Sequence, residues 1–209
     1  MGFSRYLGVG YKNDVNPNIA DEDGETPLSG AAWGGHEGVA RMLLERNNIN
    51  LNPTNKYGIT PVYEAARKGH EGIVKMLLEQ VNVDPNSADV YGQTPLFRAA
   101  SKGHEGVVKV LLERANFDLN TANEHGITPL FGAACKGYEG VVKMLLEQVD
   151  VDPNTVDEYG QTPLFKAACK GHEGVVKALL ERANVDLSTP NNMVEHHSPE
   201  LPGEDMGES

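Results

Sequence analysis

The stretch that decides the fold runs from Gly92 to Glu113 and reads GQTPLFRAASKGHEGVVKVLLE. Near-copies of it lie on both sides, and their Thr-Pro pairs begin at residues 26, 60, 94, 128 and 162, a constant spacing of 34 residues. A fixed period of this length is typical of a solenoid, in which each unit packs only against its neighbours. The sequence therefore predicts one elongated stack of five units.

Each unit predicts two short helices. The hydroxyl of Thr94 can cap a helix, and Pro95 suits the first helical position because its φ is fixed and it has no N–H to satisfy. Gly103 is placed to end this first helix. Beyond it, apolar residues recur at i, i+1, i+4 and i+5, which gives a second helix one broad apolar face. The five helix pairs are predicted at about residues 26–46, 60–80, 94–114, 128–148 and 162–182.

These residues resemble the ankyrin repeat, whose pattern includes G-x-T-P-L-H-x-A-A-x-x-G-H followed by an apolar helix. The resemblance covers roughly residues 15–187 and implies an all-α fold, an ankyrin-repeat α-solenoid of stacked helix-turn-helix pairs with projecting β-hairpin-like loops. The 34-residue unit is similar to those in long arrays of fungal signalling proteins. The histidine of the family's T-P-L-H is absent, and we expect aromatic packing to replace its polar link. The residues in its place are Ser29, Tyr63, Phe97, Phe131 and Phe165.

The two ends of the chain differ from the middle. Residues 1–14 are predicted to form a partial N-terminal cap, because apolar residues stand where a preceding second helix would be. Residues 188–209 are predicted to form a disordered acidic tail, since they carry acidic residues and prolines but no Lys or Arg. The second helix of the fifth unit has an almost internal apolar face. The tail, a partner or further repeats could each cover it.

Composition excludes several classes of function. A formal net charge of −12 argues against nucleic-acid binding, which needs a basic face. No apolar run approaches the roughly 20 residues that span a bilayer. Cys135 and Cys169 occupy equivalent positions in adjacent units, where helix spacings of about 8–10 Å exceed the roughly 7 Å that a disulfide allows. We expect free thiols, a monomer, and a cytoplasmic location, with the nucleus as a second possibility.

Two chemical hypotheses find little support in the sequence. A metal site could use the histidine series, but equivalent residues lie a full unit apart and Tyr138 interrupts the series, so no tetrahedral shell converges. We expect a structural role for these histidines between the two helices of a unit: His36, His70, His104 and His172. A cysteine nucleophile needs a base within reach, and the neighbouring positions offer only Lys136 and Lys170. We therefore expect no catalytic residue, metal or cofactor.

A protein-binding surface is the stronger prediction. The resemblance implies that loop tips and the exposed side of each first helix line a concave groove where such proteins grip partners. Tyr, Trp and Arg commonly anchor interfaces. The predicted partner-binding residues are Trp33, Tyr57, Arg67, Lys68, Tyr91, Arg98, Ser101, Lys102, His125, Lys136, Tyr159 and Lys170. Alternatively, the tyrosines only pack on the next loop and the lysines form a solvated face. A partner presenting carboxylates beside apolar side chains would suit the lysine series.

The sequence thus predicts a non-catalytic scaffold or adaptor that binds a protein on its concave face. One alternative is the repeat or sensor portion of a larger signalling protein, and another is an enzyme that depends on Cys135 or Cys169. We expect the residues that vary between units to determine the function, in particular Tyr91, Arg98 and Ser101.

Overall fold

A computed structural model of the chain describes residues 15–114, 118–182 and 184–186. Those residues form ten α-helices in five pairs and include no strand, so the predicted all-α solenoid is confirmed. The helices are α1 (Pro27–Gly34), α2 (Glu37–Leu44), α3 (Pro61–Lys68), α4 (Glu71–Leu78), α5 (Pro95–Lys102), α6 (Glu105–Leu112), α7 (Pro129–Lys136), α8 (Glu139–Leu146), α9 (Pro163–Cys169) and α10 (Glu173–Leu180). The predicted cap (1–14) and tail (188–209) lie outside the described residues.

Local signals set the length of each first helix. In α5, the Oγ1 of Thr94 accepts a hydrogen bond from the Phe97 N–H at 3.1 Å, and Pro95 occupies the first turn. The helix ends at Gly103, whose φ of 73° lies in the left-handed region that a residue with a Cβ avoids. The first helices α1, α3 and α7 begin and end in the same way.

Alanine pairs let the first helices approach closely. Ala99 and Ala100 of α5 are fully buried, as are the pairs of α3 and α7. The spacing between packed helices depends on the side chains at the contact. The first helices accordingly pack more extensively against one another than the second helices do. The first helices and the loop tips form the face that the resemblance implies to be concave, and this face is called the concave face below.

The loop between two helix pairs forms a tight turn that contacts the next loop. The Asp89 carboxylate accepts hydrogen bonds from the N–H groups of Tyr91, at 3.0 Å, and Gln93, at 2.9 Å. The carbonyl oxygen of Tyr57 accepts the N–H of Val90 at 3.0 Å, and equivalent bonds link the other consecutive tips. These bonds hold the tip residue of each loop beside the tip residue of the next loop, at a regular spacing.

Asparagine side chains form a second series of inter-repeat links. The Nδ2 of Asn52 donates to the Asn82 carbonyl at 2.6 Å, while its Oδ1 accepts the Asp84 N–H at 2.9 Å. The same pair of bonds is made by Asn18, Asn120 and Asn154. The sequence alone indicated only turns here, whereas these links join neighbouring repeats.

Three members of the histidine series, His70, His104 and His172, make contacts between repeats. Ring nitrogen Nε2 of His70 lies 3.1 Å from the Trp33 carbonyl oxygen, and His104 bonds to the Arg67 carbonyl at 3.2 Å. His172 makes the corresponding contact with the preceding repeat. Each of these rings therefore joins two repeats through a backbone carbonyl.

The residues that stand in place of the family's histidine differ in whether they make a polar contact. Phe97 and Phe131 are buried, as the expected aromatic packing requires. Tyr63 is also buried, but its hydroxyl donates a hydrogen bond to the Asp89 carboxylate in the next loop. The expectation that packing alone replaces the polar link is therefore wrong for Tyr63. Burial, together with the hydrogen bond to Asp89, raises the pKa of this tyrosine well above its ordinary value of 10.

Candidate protein-binding surface

The concave side carries a groove, here called the aromatic groove, with a volume of about 650 Å³. Helices α1, α3 and α5 and the loop tips between them line it. Its lining residues are Glu25, Gly30, Trp33, Asn55, Tyr57, Ile59, Tyr63, Glu64, Arg67, Asp89, Tyr91, Gln93 and Arg98. The groove is a preformed surface, because the hydrogen-bonded loops and capped helices fix the positions of its walls.

Three large aromatic side chains of this groove are exposed to solvent. Trp33 is 55% exposed, Tyr57 48% and Tyr91 50%. The Nζ of Lys68 lies 4.5 Å from the centroid of the Trp33 ring, and the Nζ of Lys56 lies 5.2 Å from that of Tyr57. These distances are within the range of cation–π attraction. All three rings thus stand at the surface, and those of Trp33 and Tyr57 have a cationic group beside them.

The carboxylates that line the aromatic groove are all partnered within the molecule. Glu64, which is only 5% exposed, accepts hydrogen bonds from Nε of Arg67 at 3.0 Å and from Nη2 at 2.7 Å. Glu25 accepts from the Asn55 amide at 2.6 Å, and Asp89 is bound by backbone N–H groups and a tyrosine hydroxyl. Arg67 is therefore largely neutralised by Glu64, a residue that the sequence reasoning missed.

A second depression, here called the cationic groove, lies between α5 and α7 and has a volume of about 350 Å³. Phe97, Ile127 and Phe131 give it apolar walls. The other lining residues are Gln93, Arg98, Ser101, Lys102, Asn123, His125, Gly132, Cys135 and Lys136. It thus contains three cations and no Asp or Glu, although the protein as a whole is strongly acidic.

Arg98 and Gln93 line both grooves. The Nη1 of Arg98 donates to Oε1 of Gln93 at 2.7 Å, and within the described residues no carboxylate lies within 4 Å of the guanidinium. Its Nε is buried without a hydrogen-bond partner, and so is the Oγ of Ser101. The guanidinium of Arg98 consequently differs from that of Arg67 in having only a neutral partner.

His125 marks the edge of the cationic groove. Its Nδ1 lies 3.1 Å from an oxygen of Glu158, and its Nε2 lies 3.5 Å from an oxygen of Glu124. These two exposed carboxylates stand beside the loop tip rather than in the groove lining. The positive region is therefore small and has acidic residues at its margin.

The structure gathers most of the predicted binding residues into the two adjoining grooves. Trp33, Tyr57, Arg67, Tyr91 and Arg98 line the aromatic groove, and Arg98, Ser101, Lys102, His125 and Lys136 line the cationic one. Lys68 lies over Trp33 at the edge. Tyr159 and Lys170 line neither groove; both are exposed in the fifth repeat. The residues that sequence reasoning missed, such as Glu64 and Gln93, are the intramolecular partners of the cations.

A third surface feature lies at the end of the stack and is here called the end patch. Leu180 of α10 is 52% exposed, and with Ala168 and Val176 it lines an apolar depression bordered by Glu173, Lys177 and Glu181. The corresponding surfaces of the earlier pairs are covered by the next repeat. The choice among the tail, a partner and further repeats as its cover stays open.

Thiols, potential metal ligands and helix lengths bear on functions other than recognition in the part of the chain that the structure describes. Cys135 is half-buried and Cys169 exposed, both as free thiols. Within the described ranges, no three His, Cys, Asp or Glu side chains lie close enough together to hold a metal ion. Among those same residues, every helix is too short or too polar to cross a bilayer.

Comparison with known proteins identifies the repeat. The family model "Ankyrin repeats (3 copies)" matches residues 5–89, 47–123, 81–157 and 115–191, overlapping segments that together run through most of the chain. A search of curated proteins found no significant match. The match agrees with the paired helices, the Thr-Pro caps and the stacked loop tips, so the chain belongs to the ankyrin-repeat family.

Proposed function

We propose that this chain is a non-catalytic scaffold or adaptor that binds a protein partner on its concave face. Ankyrin repeats are generally protein–protein interaction modules and are typically not catalytic. The observation that carries the proposal is the aromatic groove, in which Trp33, Tyr57 and Tyr91 stand half-exposed on a fixed backbone. Exposed aromatic clusters of this kind are typical of interaction sites.

The energetics favour binding without rearrangement. Each tip is tied to the next by a backbone hydrogen bond near 3.0 Å, as between Tyr57 and Val90. Docking on such a surface orders few loop residues, and tryptophan and tyrosine lose little rotamer freedom when they are buried. The twelve predicted residues then divide into aromatic anchors around Trp33 and a cationic flank around Lys102 and Lys136, with Tyr159 and Lys170 at the periphery.

The unpaired thiols support a proposal for the cellular setting. Cys135 and Cys169 are unpaired, which suits a reducing compartment. We place the protein in the cytoplasm, with the nucleus as the alternative, and as a monomer before it meets its partner.

The end patch supports a second candidate function. Leu180 and Val176 present an apolar surface like those that internal repeats bury against the next repeat. In this candidate the chain is the repeat portion of a larger signalling protein, whose further part covers α10. A polar capping repeat added after Leu187 would then raise the thermal stability, whereas an end that is already covered would gain nothing.

A triple variant tests the concave face. Alanine at Trp33, Tyr57 and Tyr91 should abolish capture of the partner, because each aromatic anchor at an interface commonly contributes about 2 kcal/mol or more. The matched control replaces three exposed apolar residues outside both grooves: Met42, Val81 and Val149. Quantitative affinity capture compares the wild type with both variants after circular dichroism has established that they fold. Recovery of the same proteins by the groove variant would refute the assignment of this face.

A further inference from the structure

We propose that the cationic groove is a subsite for one carboxylate side chain, Asp or Glu, of the partner, with an apolar residue of the partner next to it. This inference rests on the proposed protein-binding function and defines the chemistry that the partner must carry. Arg98 is the central group, and Lys102 and Lys136 provide the surrounding positive charge.

The composition of the two grooves supports an anionic ligand for only one of them. The aromatic groove contains three carboxylates and two guanidinium groups, one of which is the shared Arg98, so it has no excess of positive charge however Arg98 is assigned. The cationic groove contains three cations and no carboxylate, in a chain with 30 acidic and 18 basic residues. A local excess of one charge against the net charge of the protein steers ligands of the opposite sign. The partner's negative group therefore fits the second groove.

The two arginines of the concave face show why Arg98 is available for such a ligand. Arg67 donates two hydrogen bonds to the buried Glu64 carboxylate and is already paired. Arg98 has only the neutral amide of Gln93 as a side-chain partner, and its Nε makes no hydrogen bond. A guanidinium presents its N–H donors in a planar fork that matches a carboxylate. A carboxylate from a partner would supply the charged acceptor that Arg98 lacks.

A second unpartnered group lies beside Arg98. The Oγ of Ser101, one turn further along α5, is also buried without a hydrogen-bond partner. Gly132 of the next repeat leaves room for this hydroxyl, since a Cβ there would lie 2.4 Å from it. Small adjustments of Arg98 and Ser101 would turn both donors toward a carboxylate in the groove.

The margin of the groove limits the size of the anion. Glu124 and Glu158 lie beside His125 at one edge, where they would repel a ligand with many negative charges. The walls are apolar, from Phe97, Ile127 and Phe131. One acidic side chain with an apolar neighbour suits this arrangement better than the repeated phosphates of a nucleic acid.

Lys166 provides a matched control. It occupies the position equivalent to Arg98 in the fifth repeat and donates to Gln161 at 2.7 Å, as Arg98 does to Gln93. It lines neither groove. Lys166→Gln therefore makes the same change of charge in a similar setting away from the proposed subsite.

The test selects peptides with the full chain. A displayed library of short random linear peptides is panned on the wild type, and synthetic copies of the selected peptides are titrated by fluorescence anisotropy. We expect enrichment of Asp or Glu next to an apolar residue. Arg98→Gln should weaken binding about tenfold or more, as for loss of a charge-assisted hydrogen bond. Changing the acidic residue of the peptide to its amide should weaken binding to the wild type by the same factor. The amide peptide should bind Arg98→Gln as well as the acidic peptide does. Lys166→Gln should bind the acidic peptide with the affinity of the wild type.

The outcomes separate this subsite from the proposed function. If the peptides are lost on substitution of Tyr57 and Tyr91 but bind Arg98→Gln normally, the concave face stands and the subsite is wrong. If they bind both groove variants normally, the proposed face fails as well. A phosphoserine peptide that binds about tenfold more tightly than its Asp counterpart would make phosphate the ligand and overturn the carboxylate assignment. A library that yields no acidic binder also overturns it, because a preformed cationic groove must select such peptides.

Discussion

Replacing Asn52 by alanine should measurably destabilise the stack, although Asn52 is in a surface loop and outside the apolar core. Its side chain donates to the Asn82 carbonyl at 2.6 Å and accepts the Asp84 N–H at 2.9 Å. Alanine removes both links between consecutive repeats and leaves the two backbone groups to water. Within the described residues, Asn18, Asn120 and Asn154 make the same pair of bonds.

The expected loss follows from these two hydrogen bonds. Each contributes about 0.5–1.5 kcal/mol net, and partial exposure favours the lower half of that range, so we expect a total of about 1–2 kcal/mol. For a chain of this size, 1 kcal/mol corresponds to a change in Tm of about 2–4 °C. The substitution should therefore lower the Tm by about 2–8 °C.

Asn52→Asp distinguishes the hydrogen bonds from a general preference for turn residues. Aspartate keeps the acceptor for the Asp84 N–H but loses the donor, and its carboxylate faces the carbonyl oxygen of Asn82. It should cost at least as much as alanine. If Asn52 acted only through its turn propensity, aspartate would be tolerated, since both residues favour turns.

Urea unfolding followed by circular dichroism gives the free energies of unfolding for both variants. Asn47→Ala is the control, because Asn47 is an exposed asparagine of a turn and its side chain makes no hydrogen bond within the described residues. Surface substitutions of that kind usually change stability by less than about 0.5 kcal/mol. Equal stability of Asn52→Ala and the control would refute the inter-repeat role of the asparagine series.

Four further substitutions test predictions about stability. Gly106→Ala should stabilise the protein by up to about 1 kcal/mol in urea unfolding, because the added Cβ meets only an exposed, movable glutamate side chain. Gly103→Ala should instead destabilise it by more than about 1 kcal/mol, because φ is 73° and a Cβ would lie 2.7 Å from a tyrosine ring; equal effects of the two would contradict this reasoning. The raised pKa of Tyr63 means that the native state holds this proton more tightly than the unfolded state, so its contribution is complete below pH 10 and decreases as the pH rises above 10. As the pH rises above 10, the free energy of unfolding should fall more steeply for the wild type than for Tyr63→Phe. Parallel pH profiles of the two proteins would exclude a contribution from the Tyr63 proton. Leu180→Lys should change the free energy of unfolding by less than about 0.5 kcal/mol if the end patch is open to solvent, and a loss of several kcal/mol would mean that part of the chain covers it.

The helix pairs were predictable because their signals are local. Thr94, Pro95 and Gly103 act within one helix, and their recurrence every 34 residues repeats the same start and stop. The family match and the ten helices of the described residues confirm the fold class that these recurring residues indicated. The predicted cap and tail fall outside the described residues and stay predictions.

The links between repeats were harder to predict because they join residues about 30 positions apart. The residues next to Asn52 in the sequence do not indicate that its side-chain amide donates to the Asn82 carbonyl, because that contact depends on the stacking of two complete repeats. A signal was nevertheless present: asparagine recurs at residues 18, 52, 86, 120 and 154, always in the link. Recurrence of a polar residue at the repeat period indicates a bond between repeats as readily as it indicates a turn.

Most of the binding residues that the sequence indicated line the two grooves, but the sequence did not indicate which of their charges are paired, and their role in binding stays a prediction. Arg67 and Arg98 both belong to first helices and were equivalent candidates by residue type. Glu64 lies three residues before Arg67, on the same face of its helix, and neutralises it at 2.7 Å. One repeat later, Arg98 stands at the position of Glu64 and the uncharged Ser101 at the position of Arg67, so the ion pair of the second repeat has no counterpart there. Variation at these two repeat positions therefore changes the charge of the concave face, because Glu64 and Arg67 form an ion pair whereas Arg98 and Ser101 leave one unpaired positive charge. The stacked scaffold is the same in both repeats.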